Sequence, residues 1–173
     1  MSEASIERTE HGQRAVSDGW YVLNAREAQW RESDAFGRWC VFEGDAPWPQ
    51  VAINLHLLEP GKPACMYHGE DIQENFLVLS GECFLIVDGE QRRLRQWDFV
   101  HCPPWVEHVF VGAEGPSAVL MIGARPDLEV RYRPDPAAAR HGACVTTETP
   151  SADEAYAPFG DARPVAYRDG DLH

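Results

Sequence analysis

Short apolar stretches separated by glycine, proline or charged residues recur along most of the chain. Residues 76–79 and 83–87 are the clearest of these stretches, because Ser80-Gly81-Glu82 between them and Asp88-Gly89 after them are typical turn sequences. Further strands are predicted at residues 20–23, 39–42, 51–58, 91–94, 99–100, 109–111 and 118–122. Many short strands with frequent turns are typical of an all-β sandwich or barrel, and stretches that are apolar on both faces indicate strands buried between two layers.

The two ends of the chain depart from this pattern. Residues 1–17 are polar and aperiodic, which predicts a flexible N-terminal arm before a β domain over residues 18–126. Residues 127–173 contain five prolines and a few aromatic residues, which predicts a C-terminal extension that packs on the β domain or on a partner subunit. Within this extension, Ser151 and Glu154 have the spacing of a capping box, so residues 151–157 are predicted to form a short helix.

Composition and charge narrow the classes of function. The chain has 173 residues, and no apolar run approaches the roughly 20 residues that a membrane helix needs. The polar N-terminus shows no secretory signal, so a cytoplasmic location is predicted, and the five cysteines, which lack C-x-x-C spacing, are predicted to be reduced thiols. The net charge of -13 repels nucleic acid and anionic membranes, so neither is an expected partner.

Two separated stretches together predict a metal site. His68 and Glu70 point to one side of a predicted strand because successive residues alternate faces, and Glu74 has the same parity. His108 follows Pro103-Pro104 and begins another strand. Two imidazoles and two carboxylates suit Zn, Mn, Fe, Ni or Co, and the two carboxylates balance the charge of a divalent ion, so one such ion per chain is predicted.

Each of these four residues can also be interpreted without a metal ion. His68 could be a solvent-facing loop residue and Glu70 a solvated charge, with Gln73 close enough to replace Glu70 as the fourth ligand. Glu74 could be a buried hydrogen-bonding carboxylate, and His108 a histidine satisfied within the core.

The spacing of these residues resembles the paired motifs of the cupin family, roughly G-x5-H-x-H-x(3,4)-E-x6-G and G-x5-P-x-G-x2-H-x3-N. In the first motif His68, Glu74 and Gly81 match, whereas Glu70 stands where the second histidine would be and Gly61 lies one residue too far from His68. At the five named positions of the second motif, this chain has Trp97 and Trp105 at the glycines, Pro103 at the proline, His108 at the histidine and Gly112 at the asparagine. The resemblance covers about residues 51–123.

The resemblance implies a fold and a range of functions. The fold would be a double-stranded β-helix, the cupin or jelly-roll barrel, in a chain that pairs as a homodimer. The metal (Zn, Fe, Mn or Ni) would be held by His68, Glu74 and His108 with Glu70 or Gln73. The function would be that of a metal-dependent enzyme on a small organic molecule, dioxygenase-, isomerase- or decarboxylase-like. The alternative is a non-catalytic cupin that binds or senses a small ligand, and no catalytic residue is predicted.

Four further residues are candidates for the lining of a pocket: Asn54, His56, Tyr67 and His101. Asn54 and His56 share one strand face, which is either the pocket or an outward polar surface. Tyr67 precedes His68 and is a candidate hydrogen-bond donor to a metal-binding side chain, while His101 lies near the predicted mouth of the pocket. Trp97 and Trp105 either narrow an entrance or pack against the C-terminal extension.

Overall fold

The computed structural model describes residues 2–45, 47–125 and 129–172. Short strands with alternating side chains dominate it, as the apolar pattern predicts. The strands are β1 (Ile6–Thr9), β2 (Gly12–Ala15), β3 (Trp30–Ser33), β4 (Gly37–Val41), β5 (Val51–Leu58), β6 (His68–Glu70), β7 (Glu74–Ser80), β8 (Glu82–Val87), β9 (Glu90–Arg95), β10 (Phe99–Cys102), β11 (His108–Gly112), β12 (Ser117–Ala124), β13 (Val130–Tyr132) and β14 (Arg163–Val165). Two short helices, α1 (Pro136–Ala139) and α2 (Ala152–Tyr156), lie in the C-terminal part.

The strands form two main antiparallel sheets that pack face to face. One sheet has seven strands in the order β10-β7-β12-β5-β4-β3-β14, and the other has five in the order β13-β6-β11-β8-β9. Strands β1 and β2 form a separate hairpin. Both sheets combine hairpin neighbours, such as β3–β4 and β8–β9, with pairs that are distant in sequence, such as β12–β5 and β11–β6, and this mixed connectivity is that of a jelly roll. The predicted all-β fold of cupin type is confirmed.

The inner faces of the two sheets share one buried apolar cluster. Phe76 and Val78 of β7 and Val119 of β12 come from the larger sheet, and Leu85 of β8 and Phe110 of β11 from the smaller one. Val78 lies opposite Val119 in the register of β7 and β12, so their side chains project from the same face. Burying such side chains supplies the main stabilisation of the fold, at about 25 cal/mol per Å².

The larger sheet is buried on its outer face as well. Trp30, Cys40, Leu55 and Leu57 form a second cluster there, and the Trp30 indole is fully buried with its Nε1–H donated to the carbonyl of Ala25 at 2.8 Å. The expectation of strands buried between layers therefore holds for β5, whose alternate side chains enter two different clusters.

The N-terminal segment has more regular structure than its polar sequence indicates. Residues 6–15 form the β1–β2 hairpin, and Ala15 is fully buried, although flexibility of this segment remains a prediction. The strand predicted at residues 20–23 is wrong. Trp20 makes only an isolated bridge to Glu3, and Val22 is 84% exposed, because no neighbouring strand covers this stretch.

The C-terminal extension folds back onto the β sandwich. The Tyr156 hydroxyl accepts the backbone N–H of Met66 at 3.1 Å, and the ring of Phe36 packs edge-on against Phe159. The predicted short helix is confirmed as α2, since the Ser151 hydroxyl caps it by accepting the N–H of Glu154.

The boundary predicted between the β domain and the C-terminal extension, at residues 126 and 127, lies outside the described residues. In the described part of the chain, no helix has the length and apolar character needed to span a membrane.

Both tryptophans at glycine positions of the cupin pattern retain the backbone that glycine favours. Trp97 has φ 73° and Trp105 has φ 67°, in the left-handed region that bulky residues rarely adopt. The Trp105 ring lies under the guanidinium of Arg131, 4.4 Å from its centroid, so this ring packs against the C-terminal extension. Trp97 is 67% exposed.

Gly81, at the end of the first motif, occupies a position that no side chain fits. Its φ is 69°, and a Cβ there would lie 2.3 Å from the carbonyl oxygen of Pro116. We expect Gly81→Ala to lower the free energy of unfolding by more than about 2 kcal/mol, since left-handed strain and a backbone clash act together. Urea denaturation measures the change.

Gly61 provides the matched control. Its φ is 75°, but a Cβ at this position meets nothing within 4 Å. Gly61→Ala should therefore cost only the left-handed strain of about 1 kcal/mol. Equal losses in the two variants would show that the Pro116 carbonyl moves aside without cost.

Candidate metal centre

Strand pairing brings the four predicted ligands to one place on the inner face. His68 of β6 lies directly opposite His108 of β11 in an antiparallel pair. Glu74 is the first residue of β7 and has the same parity as Phe76, which contacts the His108 ring edge-on at 5.1 Å between centroids. Glu70 is two residues after His68 and faces the same side.

The ligand atoms of these residues converge. His68 Nε2 lies 3.4 Å from Glu70 Oε1, and His108 Nε2 lies 3.4 Å from Glu74 Oε2. The two imidazole rings are 5.5 Å apart between centroids. One ligand atom from each of His68, Glu70 and Glu74 lies within 4.8 Å of the others, so these three residues could hold a metal ion, with His108 directly beside Glu74.

Backbone carbonyls orient both imidazoles. His68 Nδ1 lies 2.7 Å from the carbonyl oxygen of Met66, and His108 Nδ1 lies 2.9 Å from that of Val106. A carbonyl oxygen can only accept, so each Nδ1 carries the hydrogen and donates it. The Nε2 atoms are left facing the carboxylates. Metal-binding histidines in proteins are usually held in this way, through a hydrogen bond from the nitrogen that does not bind the ion.

The environment shifts the pKa values of His68, Glu74 and His108 in different directions. Burial lowers the pKa of His68, but Cys65 and Glu70 raise it, and its net pKa lies well above the ordinary value. Burial, and then the charge of Glu70, raise the pKa of Glu74 to about 7. Burial, and then the charge of His68, lower the pKa of His108 to about 4.

These shifts decide the nature of the two close contacts. Between about pH 4 and pH 7, His108 is neutral and Glu74 is largely protonated, so their contact is a hydrogen bond to the lone pair of His108 Nε2 and not an ion pair. His68 instead pairs as a cation with Glu70. The donor set of two imidazoles and two carboxylates fits a divalent ion, which would compete with protons for these groups.

Apolar and aromatic side chains surround these groups. Phe76 and Phe110 pack near His108, and the thiol of Cys102 is buried opposite Glu74 in the register of β10 and β7. Two residues next to His68 were not predicted from the sequence to lie near the metal centre. Tyr132, from the C-terminal extension, places its ring 5.7 Å from that of His68, and Cys65 Sγ lies 3.8 Å from His68 Nδ1.

The structure brings only some of the other candidates near this centre. Gln73 is exposed, whereas Glu70 is half-buried against His68. Tyr67 packs on the opposite face of the smaller sheet, in a cluster with Ile86 and Val109, because it is one residue out of phase with His68.

His101 is also directed away from the inner face. It is exposed on β10, and its Nδ1 lies 2.8 Å from the amide oxygen of Asn75. Asn75 is one residue out of phase with Glu74, so this pair lies on the outer surface.

Asn54 and His56 lie on the inner face of β5. Asn54 is opposite Met121 and His56 is opposite Val119, and both partners belong to or contact the inner cluster. The His56 ring stacks on Trp39, with centroids 5.7 Å apart and planes 7° from parallel. Burial lowers the pKa of His56 to about 4.

Comparison with known families identifies the domain. Residues 54–123 match the family model of the cupin domain, which agrees with the paired motifs and with the two-sheet fold. The chain therefore carries a small cupin domain. None of the curated proteins compared with the chain matches it.

Several solved structures share part of the fold. A candidate sugar phosphate isomerase from Acidithiobacillus ferrooxidans is 29% identical over 47% of this chain and 54% of its own, with a TM-score of 0.44. A variant of salicylate 1,2-dioxygenase from Pseudoaminobacter salicylatoxidans, in complex with gentisate, is 21% identical over 49% of this chain and 24% of its own, with a TM-score of 0.43. A polyketide cyclase from Streptomyces resistomycificus is 14% identical over 56% of this chain and 71% of its own, with a TM-score of 0.46. The chain spans about half of the isomerase's length, and likenesses of this extent assign it no activity.

His56 should make stability depend on pH. In the unfolded chain the pKa of His56 is about 6.5, whereas burial lowers it to about 4 in the folded chain. The contribution of His56 to the free energy of unfolding should therefore be constant above about pH 6.5. It should fall by up to about 3 kcal/mol as the pH drops towards 4, because only the unfolded chain takes up the proton in this range. The variant His56→Phe keeps a ring on Trp39 but cannot take up this proton. Urea unfolding should therefore show a smaller decrease in its free energy of unfolding between pH 7 and pH 4 than in that of the parent chain.

His101→Phe is the control for this comparison, since His101 is an exposed histidine on an outer surface. Its unfolding should follow the pH dependence of the parent chain. Parallel curves for all three proteins from pH 7 to pH 4 would mean that His56 protonates equally in the folded and unfolded states.

Proposed function

We propose that this cupin domain binds one divalent transition-metal ion through His68, Glu70, Glu74 and His108 and uses it to act on a small organic molecule. The observation that carries the proposal is the orientation of both imidazoles, whose Nδ1–H groups bond to backbone carbonyls while their Nε2 atoms face two carboxylates. A bound ion would supply Lewis acidity, or a site for oxygen and substrate if it is iron.

The burial of the four groups supports the same conclusion. His68 is 9% exposed and His108 is 3% exposed, in a cluster whose other neighbours are largely apolar. Carboxylates placed there without a cation must take up protons or remain unpaired, and both options cost free energy. A divalent ion removes that cost by neutralising both carboxylates at once.

The alternative is a cupin that binds a small molecule without turnover. The departure that favours it is Glu70, which stands where the family pattern has a second histidine. Elemental analysis of protein purified without added metal separates the two cases. Near-stoichiometric Fe, Mn, Ni or Zn supports the metal-dependent enzyme, and absence of metal supports the binding protein.

The quaternary and cellular expectations remain predictions. Strand β10 lies at the edge of the larger sheet, where Phe99 is 64% exposed, and an unpaired edge of this kind favours pairing with a second copy. The homodimer, the cytoplasmic location and the lack of nucleic-acid or membrane partners are expectations from the sequence and the family.

We expect the double variant His68→Ala with His108→Ala to lose its metal, because it removes both oriented Nε2 atoms. Metal content measured by elemental analysis should fall from about one ion per chain to near zero. The fold should persist, which far-UV circular dichroism checks. His101→Ala is the matched control and should keep its metal, and undiminished metal in the double variant would overturn the assignment.

Glu70 and Gln73 can be separated by metal titration. Glu70 lies 3.4 Å from His68 Nε2, whereas Gln73 is exposed. Glu70→Gln should therefore weaken metal binding by about tenfold or more, while Gln73→Ala should leave it nearly unchanged. The reverse result would make Gln73 the fourth ligand and leave Glu70 as a partner of His68 alone.

A further inference from the structure

A cavity of about 380 Å³ lies between the larger sheet and the C-terminal extension. Its lining includes Phe36 from the β3–β4 turn and Trp39 from β4, His56 and Cys65 from the cupin domain, and Tyr156 and Phe159 from the extension. The volume falls within the range of about 300–1,000 Å³ that is usual for small-molecule sites. The extension closes the cavity, so this space belongs to the particular architecture of this chain.

Aromatic side chains form two of its walls. Trp39 and His56 make one wall as a parallel stacked pair, 5.7 Å apart. Phe36 makes another with Tyr156 at 5.3 Å and Phe159 at 4.8 Å, both edge-on. Rings packed in this way offer faces and edges to a further ring, and each such aromatic pair contributes beyond its buried area.

The polar groups of the cavity are few, and one of them is unsatisfied. His56 Nδ1 is buried and has no hydrogen-bond partner among the described residues. Because Nδ1 has almost no accessible surface, a ligand in the cavity would meet this imidazole at its other ring nitrogen, Nε2. A hydroxyl can donate and accept, and so it pairs with an imidazole in either tautomer.

The charge of the lining argues against an anionic ligand. Among the described residues that line the cavity there is no lysine or arginine, and the exposed Asp161 is one of them. The chain as a whole carries a net charge of -13. An anion would lose its hydration here and gain no cationic partner.

We propose that this cavity binds a neutral aromatic molecule that carries a hydroxyl group. The aromatic ring packs between the Trp39–His56 pair and the Phe36 cluster, and the hydroxyl pairs with the His56 imidazole. None of the four candidate metal ligands lines this cavity, so binding there needs no direct contact with a metal ion, although Cys65 of the lining is the neighbour of His68.

The test uses three probes that share one ring system and differ in charge: 2-naphthol, 2-naphthoate and (2-naphthyl)methylammonium. Each is titrated calorimetrically into the full chain at neutral pH, with and without a chelator. We expect 2-naphthol to bind equally under both conditions and the naphthoate at least about tenfold more weakly, a difference of about 1.4 kcal/mol. Preference for either charged probe, or loss of 2-naphthol binding with the chelator, would overturn the proposal.

Two variants locate the binding. His56→Phe keeps the ring on Trp39 but removes both nitrogens, and it should weaken 2-naphthol by about threefold to tenfold. Ala162→Leu places extra side-chain volume at the cavity lining and should abolish binding. His101→Phe is the control and should bind like the parent chain, and metal content should be unchanged in all three. If both cavity variants bind 2-naphthol as the parent does, the cavity is not the site.

Discussion

The antiparallel pairing of β6 with β11 is the constraint on which the candidate metal centre depends. It sets His68 opposite His108 on the inner face of the smaller sheet, and a carbonyl two residues earlier in the chain holds each ring. Because strand backbones are rigid, the two Nε2 atoms are placed before any ligand arrives. Such preorganisation lowers the conformational cost of binding an ion and favours one orientation of the site.

The electrostatics of the centre follow from this placement. Two carboxylates and two imidazoles are confined among aromatic and aliphatic side chains, where charge is poorly solvated. Burial and then the charge of Glu70 raise the pKa of Glu74, whereas burial and then the charge of His68 lower that of His108. Burial alone would lower the pKa of His68, but Cys65 and Glu70 raise it above its ordinary value. A metal ion would bind these imidazoles and carboxylates in their deprotonated forms, so metal binding at this centre would compete with protonation.

The C-terminal extension contacts the β sandwich at several points near the candidate metal centre. Tyr132 contributes a ring beside His68, Tyr156 accepts the N–H of Met66, and Arg131 covers Trp105. The same extension closes the aromatic cavity that contains His56. Residues outside the segment that matches the cupin domain therefore line the cavity and surround the candidate metal centre.

The sequence by itself indicated most of the strand pattern, the resemblance to the cupin family and three of the residues that converge, His68, Glu74 and His108, because strand periodicity and motif spacing are local properties. It also left the β1–β2 hairpin unseen and predicted a strand at residues 20–23, since a polar hairpin and an unpartnered apolar stretch are distinguished only by their neighbours. Only the tertiary structure decided that Glu70 faces His68 while Gln73 is exposed, that Tyr67 faces away, and that Tyr132 and Cys65 lie beside the centre. These facts depend on contacts between segments far apart in the chain, which no local pattern encodes.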